Sequence, residues 1–439
     1  MQKFAVQNFG CRASQADGAA IEAALAAKGM SRSADGHSDA DWVILNTCTV
    51  TSNADDDLRQ TVRRVHRENP AAQILVTGCY AQRAPEEIAQ LPGVSMVVGN
   101  SHKTQIAELI AGSHPGFVQI EAPSYHAQVH VGDIFARHDF LASPVSDAAG
   151  DRSRPNLKIQ DGCNNRCSFC IIPFVRGRSR SMPVGEVIEQ VRALTAAGYP
   201  EVVLSGINLG RWGREPGFTM RLPALLRRIL DETEVQKLRL SSIEPMDWSG
   251  ELLDLVAGES RIAKHVHAPL QSGSDTVLRR MHRKYRPRHY EDRVRRARAL
   301  MPDAAIGADV MVGFPGETDA EFEDSRQFIE SLPFTYLHVF TYSERPGTPA
   351  ADSAAQVPMA VRKERNRVLR ELQTRKHQAF LKSLIGKHLD AVSLDGQCSA
   401  LSDNFCKIRL TEAVEPRKQI KAIVLGVDGE LLTAQPSPC

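Results

Sequence analysis

The segment Cys163-Asn164-Asn165-Arg166-Cys167-Ser168-Phe169-Cys170 limits what this chain can be more than any other. Its spacing, C-x3-C-x2-C, gathers three thiolates within eight residues, in a polar loop that follows a short strand-like run. Three such thiolates can occupy three corners of a [4Fe-4S] cubane and leave the fourth iron without a protein ligand. That open iron can chelate the amino and carboxylate groups of a small molecule and pass it one electron. A structural zinc site usually closes on four ligands, and no fourth Cys or His follows in register here.

Cysteine usage and the first residues point to a reducing compartment. There are nine cysteines, an odd number, and Met1 to Ala5 hold one Lys and no apolar leader segment. A cytoplasmic location with reduced thiols is therefore expected, and structural disulfides are not. No run approaches the ~18 apolar residues of a membrane span, so no membrane association is expected. At 439 residues the chain exceeds what one core organises, and two or three domains are expected. Lys plus Arg total 54 against 52 for Asp plus Glu, so no bulk field announces a polyanionic partner. Nucleic-acid binding would have to use local patches, of which Arg279 to Arg298, with nine Arg and one Lys, and Arg362 to Lys382 are the candidates.

The hydrophobic pattern reads as α/β. Residues 1–135 alternate strand and helix: Phe4 to Val6, Trp42 to Leu45 and Gln73 to Thr77 as strands, Gln15 to Lys28 and Asp55 to Asn69 as helices. Parallel packing follows. Phe140 to Pro155 lacks any period and reads as a linker. Six strand-like runs then recur with helical segments between them: Leu157 to Gln160, Glu201 to Leu204, Lys237 to Ser242, His265 to Leu270, Ala305 to Val312 and Tyr336 to Thr341. A partial (β/α)6 barrel over residues 150–380, with its functional groups at the C-terminal strand ends, is the expectation. A basic helix, Val361 to Leu384, leads to residues 384–439, where Asp390 to Leu394, Phe405 to Leu410 and Ile420 to Leu425 suit a small antiparallel β-barrel.

Three more cysteines each follow a strand-like run in the first domain: Cys11 in Gly10-Cys11-Arg12, Cys48 in Asn46-Thr47-Cys48-Thr49-Val50-Thr51, and Cys79 in Thr77-Gly78-Cys79-Tyr80-Ala81-Gln82. A parallel sheet would deliver all three to one edge. Spacing alone leaves three unrelated buried cysteines open as an alternative. The words around them resemble the N-terminal domain of the methylthiotransferase family. C-x3-C-x2-C with Phe169 before the last cysteine resembles the radical SAM superfamily signature. Lys158-Ile159-Gln160-Asp161-Gly162-Cys163 and Cys170-Ile171-Ile172-Pro173-Phe174-Val175-Arg176-Gly177-Arg178 resemble that family's radical SAM segment, and the tail resembles its TRAM RNA-binding barrel. Ser14 stands where the family usually has Asn.

The resemblance implies two [4Fe-4S] clusters. Cys163, Cys167 and Cys170 would hold one that cleaves S-adenosyl-L-methionine (SAM) to a 5'-deoxyadenosyl radical; Cys11, Cys48 and Cys79 would hold one that supplies or carries sulfur. It implies C–H to C–SCH3 conversion at C2 of N6-threonylcarbamoyladenosine at position 37, in a tRNA anticodon loop. A sulfur donor, a flavodoxin- or ferredoxin-like reductant and a monomeric enzyme are the accompanying expectations. The rivals are the branches acting on N6-isopentenyladenosine or on a ribosomal-protein aspartate, and a non-catalytic iron-sulfur RNA-binding redox sensor.

For SAM the strand ends offer Ser205, Gly206, Ser242, Glu244, Gln271 and Gly313, beside Phe169. Tyr342, Arg345, Arg176, Arg178 and Arg180 are candidates for the substrate or its phosphates, and Lys407, Arg409, Arg417, Lys418 and Lys421 for RNA. Cys398, Cys406 and Cys439 sit at no ligand spacing and receive no role.

Overall fold

Three runs that are apolar on both faces, WVILNT, QILVTG and VSMVVG, form the middle of the first sheet. They belong to a computed structural model that describes residues 2–49, 52–112, 127–136, 139–141, 153–394, 396 and 398–437, with the backbone alone at 52 and 53. Most of the expected linker, Val50, Thr51 and Cys439 lie outside the described residues. In chain order the first elements are β1 (Lys3–Asn8), α1 (Arg12–Ala27), β2 (Ser31–Arg32), β3 (Trp42–Thr47), α2 (Ser52–Glu68), β4 (Gln73–Gly78), α3 (Cys79–Arg83), α4 (Pro85–Ala89), β5 (Val94–Gly99), α5 (Ile106–Gly112) and β6 (Gln128–His130). The six strands pair in parallel in the order β2-β1-β3-β4-β5-β6. Alternate residues face two cores. Val43, Leu45, Ile74 and Val76 meet Leu58, Val62 and Val65 of α2, while Trp42, Ile44 and Leu75 meet Ile21 and Leu25 of α1 and Ile106 and Ile110 of α5. The order reverses at β1, so the crevice at the carboxyl ends of β1 and β3 is a topological switch point.

The central elements are β7 (Asn156–Asp161), α6 (Ile172–Arg176), β8 (Arg180–Ser181), α7 (Val184–Ala196), β9 (Glu201–Gly206), α8 (Leu222–Glu232), β10 (Lys237–Leu240), α9 (Gly250–Gly258), β11 (His265–His267), α10 (Asp275–Arg280), α11 (Pro287–Leu300), β12 (Ala305–Val312), α12 (Asp319–Ser331), β13 (Tyr336–Thr341) and α13 (Met359–Ser383). Six of these strands run parallel as expected, in two hydrogen-bonded parts, β10-β9-β7 and β11-β12-β13. A single bridge, Leu238 to Ile262, links β10 to the segment before β11. The pattern did not foretell β8, a two-residue antiparallel edge on β7, because two residues carry no period. Outward residues such as Leu157, Ile159, Val202, Leu204, Leu238 and Leu240 fill a large core with the helices. Inward ones are polar: Lys158, Gln160, Glu201, Arg239 and His265 are all buried.

The tail closes into a five-stranded barrel, as the TRAM resemblance implies: β14 (His388–Ser393), β15 (Ser399–Ser402), β16 (Lys407–Leu410), β17 (Gln419–Asp428) and β18 (Leu431–Ser437), in the order β14-β15-β16-β18-β17. Its pairings are antiparallel except β16 with β18, which is parallel. Arg239 of β10 anchors it, donating to the carbonyls of Asp403 at 2.8 Å and Ser402 at 3.0 Å while gripping Glu201. Phe405 stacks on His265 with ring centroids 4.4 Å apart.

Candidate active site

Parallel strands bring the three N-terminal cysteines to one edge. Cys11 caps α1 just beyond β1, Cys48 follows β3, and Cys79 opens α3 directly after β4. Asn8, Asn46 and Thr77 are in register across these strands. Gly10 makes room for Cys48: a methyl built on it would lie 2.4 Å from Cys48 Cβ and 2.7 Å from Sγ, and its φ of +89° suits glycine. Ser14 Oγ lies 3.7 Å from Cys11 Sγ and accepts from Arg176 at 3.3 Å, so Ser14 has a defined local role. Burial works against the charge of Arg176, yet Cys79, Asp161, Asp17 and Cys11 hold its pKa well above the ordinary value. One guanidinium is thus within electrostatic reach of two of the three sulfurs.

The second set lies in the loop after β7. Gln160 shapes that loop, donating to the carbonyls of Asp161 and Gly162 (both 2.9 Å) and to Ser179 Oγ while accepting from Asn208 N–H at 2.6 Å. Three N–H groups point at sulfur: Asn165 N to Cys163 (3.4 Å), Asn208 Nδ2 to Cys163 (3.8 Å) and Arg283 Nη1 to Cys167 (3.2 Å). Burial, then the charges of Cys167 and Cys163, push the Cys170 thiol up to about 12. Burial likewise raises Cys163. Ionising Cys163 and Cys170 therefore calls for a cation close by, and donors aimed at sulfur suit metal-bound thiolates. The residues fit a cubane cluster, and no disulfide ties up the described cysteines.

The two sets meet. Cys79 packs against Ile171 and Val175, next to Cys170. Asn100 Nδ2 spans the joint, 3.6 Å from Cys79 Sγ and 2.7 Å from the Val175 carbonyl. A cavity of about 270 Å³ opens there, with Phe169, Cys170, Gln271, Asp309, Met311 and Arg345 on its wall. Arg345 reaches across to the other set, donating to Asp55 at 2.8 Å and to the carbonyl of Thr49, the residue after Cys48. Beneath this joint, Asp17 of α1 is buried among Lys103, Lys158 and Arg176, and Asp161 shares Lys158 and Arg176.

The strand ends offer unmet polar atoms where SAM would need partners. Ser205 Oγ, Ser241 Oγ and Asn208 Oδ1 are buried without a hydrogen-bond partner. Ser241 and Asn208 were not among the sequence candidates, although both stand in the segments that supplied them. Ser242 is half-buried, and Glu244 accepts from Arg283 at 2.5 Å. Gln271 holds a positive φ of 63° at the cavity wall. Gly206 lies against Gln160. Of the seven candidates only Phe169 and Gln271 line the cavity; Ser205, Gly206, Ser242, Glu244 and Gly313 do not, and at Gly313 the N–H donates to Glu317 while the Arg362 side chain covers its open face.

The arginines need correction. Arg176, Arg180 and Arg345 are buried in ion pairs, so they join parts of the chain instead of meeting phosphates; Arg178 is exposed. The run Arg279 to Arg298 is largely neutralised, with Arg279 and Arg286 on Asp275, Arg280 on Glu321, Arg295 on Glu291 and Arg296 on Asp254. On α13, Lys363, Arg370 and Lys382 stay exposed.

Comparison with known proteins converges on the same chemistry. Residues 157–329 match the radical SAM superfamily, and residues 3–99 match a family described only as uncharacterized protein family UPF0004. The chain is 35% identical over 422 residues to the threonylcarbamoyladenosine tRNA methylthiotransferase MtaB of Aquifex aeolicus, covering 96% of this chain and 100% of that one. It is 40% identical over 368 residues to MtaB of Bacillus subtilis, covering 83% and 79%. It is 35% identical over 390 residues to the tRNA-2-methylthio-N(6)-dimethylallyladenosine synthase of Novosphingobium aromaticivorans, covering 88% and 85%. In fold it is similar to the radical SAM methyltransferase TsrM of Kitasatospora setae, with a TM-score of 0.59 at 16% identity over 80% of this chain and 77% of that one. With relatives of this similarity spanning nearly its whole length, the chain belongs to the radical SAM methylthiotransferase family.

Proposed function

We propose that this chain is a tRNA methylthiotransferase that replaces the C2 hydrogen of N6-threonylcarbamoyladenosine at position 37 with a methylthio group, using SAM and two [4Fe-4S] clusters. The observation that carries the reading is a cavity with Cys170 on its wall and with Arg345 reaching from it to the carbonyl of Thr49, the residue after Cys48. Sulfur insertion into a C–H bond needs a radical source and a sulfur source beside one substrate atom. When bound, a cluster on Cys163, Cys167 and Cys170 supplies the electron that cleaves SAM, and one on Cys11, Cys48 and Cys79 supplies or carries the sulfur.

The chain's own groups orient these partners. Arg283 holds Cys167 and Glu244 together, and Gln160 fixes the loop that carries Cys163. Ser205, Ser241 and Asn208 offer hydrogen bonds to SAM. Phe169, Met311 and Phe340 give the cavity apolar walls that exclude water from a radical. Labour divides along the chain: residues 1–135 hold the auxiliary cluster, 150–380 the radical chemistry and 384–439 the RNA. Lys407 and Lys421 of the small barrel, with exposed Lys363, Arg370 and Lys382 of α13, supply a basic surface for the anticodon arm. No helix among the described residues is long and apolar enough to cross a membrane. The enzyme works as a cytoplasmic monomer fed by a flavodoxin- or ferredoxin-like reductant and a sulfur donor.

Nucleoside mass spectrometry of tRNA from a strain lacking this chain tests the reading. Loss of 2-methylthio-N6-threonylcarbamoyladenosine with retention of its unmodified precursor is expected. Loss of the 2-methylthio-isopentenyl nucleoside instead would favour the second reading, which the Novosphingobium relative's name supports. For the reconstituted protein, Cys48→Ala should lower iron from about eight to about four per chain, the content of two cubanes against one.

A further inference from the structure

Asp309 is set apart by what faces it. Each fully buried carboxylate among the described residues, Asp17, Asp55, Asp161, Glu201, Asp247 and Glu317, is held by Arg or Lys. Asp309, with 23% of its side chain exposed, faces two imidazoles instead. Its Oδ1 lies 3.2 Å from His267 Nε2 and 3.4 Å from His338 Nδ1. One ligand atom from each of the three residues lies within 4.8 Å of the others.

Three adjacent parallel strands produce this grouping. His338 of β13 is the direct register partner of Asp309 of β12, and His267 of β11 is paired with Gly307, two residues earlier on the same face. The rings are fixed by their neighbours: His267 lies edge-on to Tyr336 and to His338, with centroids 5.8 and 5.4 Å apart. Ligands on strands, locked by packing, are what a preformed metal site requires. The two N···O separations also agree with the edge of about 3.3 Å between ligands that share a tetrahedral ion at ~2.0–2.1 Å.

We propose that His267, Asp309 and His338 bind one divalent ion of the zinc class at the wall of the active-site cavity. Two imidazoles and one carboxylate are a ligand set that such ions take while keeping further coordination positions open. Asp309 also lines the cavity that holds Cys170, so the ion sits beside the reaction space without using any cysteine. The proposal does not depend on which nucleoside is modified.

Zinc uptake by the anaerobically reconstituted holoenzyme tests it, read by mass spectrometry of metals after desalting, with iron and sulfide counted in parallel. Wild type should retain about one zinc per chain with no loss of iron. His338→Ala, at a half-exposed position, and Asp309→Asn should each weaken zinc binding by more than the roughly 10–100-fold that follows loss of a group merely hydrogen-bonded to a ligand, again with iron unchanged. X-ray absorption at the zinc edge of the wild type should give a nitrogen and oxygen shell. Zinc taken up equally by both variants, zinc that only replaces iron, or a sulfur shell would each overturn the site.

Discussion

Asp17→Asn should separate the two halves of the active site. The side chain is 2% exposed and lies among Lys103 Nζ at 3.0 Å, Arg176 Nη2 at 3.1 Å and Lys158. Asp161 is the second carboxylate, paired with Lys158, Arg176 and Arg180, so two buried carboxylates serve four buried cations and neither is dispensable. An isosteric amide keeps the packing and leaves buried cations without their partner. Breaking a buried ion pair from one side costs about 3–5 kcal/mol. At ~2–4 °C per kcal/mol that is a fall in melting temperature of about 10 °C. Anaerobic thermal unfolding followed by circular dichroism reads it, with the exposed Asp35→Asn as the neutral control. Although burial opposes its charge, Lys103, Lys158 and Arg176 hold the Asp17 carboxyl below the usual carboxylate range. Its contribution is therefore complete above the unfolded value of about 4 and fades as pH falls through the depressed native pKa. The gap between wild type and variant should stay constant from pH 8 to about 5 and narrow below about 4. A variant melting within about 1 °C of wild type at pH 7 would refute the view that this cluster clamps α1 to β7 and α6.

Three further outcomes follow from individual contacts. Gly10→Ala should lose the auxiliary iron, about four per chain, whereas Gly36→Ala, with a similar φ of +67° and nothing within 4 Å, should keep it; equal iron in both removes the steric argument. Arg283→Lys replaces a fork that reaches both Cys167 Sγ and Glu244 with a single ammonium. The potential of the cluster on Cys163, Cys167 and Cys170 should become more negative in an EPR-monitored redox titration, and an unchanged potential would count against the hydrogen bond to sulfur. Partial burial works against the charge of Glu321, but Arg280, Thr276 and the Thr318 N–H bring it down to about 2. Solvent screening of this partly exposed pair cuts the effect, so Glu321→Gln should cost about 1 kcal/mol at pH 7 and almost nothing near pH 2, by chemical denaturation at each pH.

Local pattern exposed the parts of this molecule that repeat or cluster locally. β3 and β4 are continuous apolar runs, and a parallel sheet forces the residues after them to one edge, so the placement of Cys48 and Cys79 on that edge is legible in the sequence. The same logic located Ser205 and Gln271 at strand ends. Pairs far apart in sequence were not legible: Asp17 meets Arg176 across 159 residues and Arg345 meets Asp55 across 290, and nothing local marks either. That is why Arg176 and Arg345 stand in the sequence as candidates for the substrate or its phosphates and in the structure as buried clamps. In the small barrel, β15 is only SALS, and β18 contains Pro436, a residue that argues against a strand interior. Both were missed for those reasons. The run Arg279 to Arg298 looked like a polyanion surface because its acidic partners Asp254 and Glu321 lie elsewhere in the chain.

The switch-point geometry has a consequence for insertions. Cys11, Cys48 and Cys79 issue from the same end of neighbouring strands, while the returns from α1 to β3 and from α2 to β4 turn at the far end. Added or deleted residues at those far turns leave the thiols where they are. The intervals between these cysteines are therefore free to drift in length, while the two or three residues on either side of each one are not.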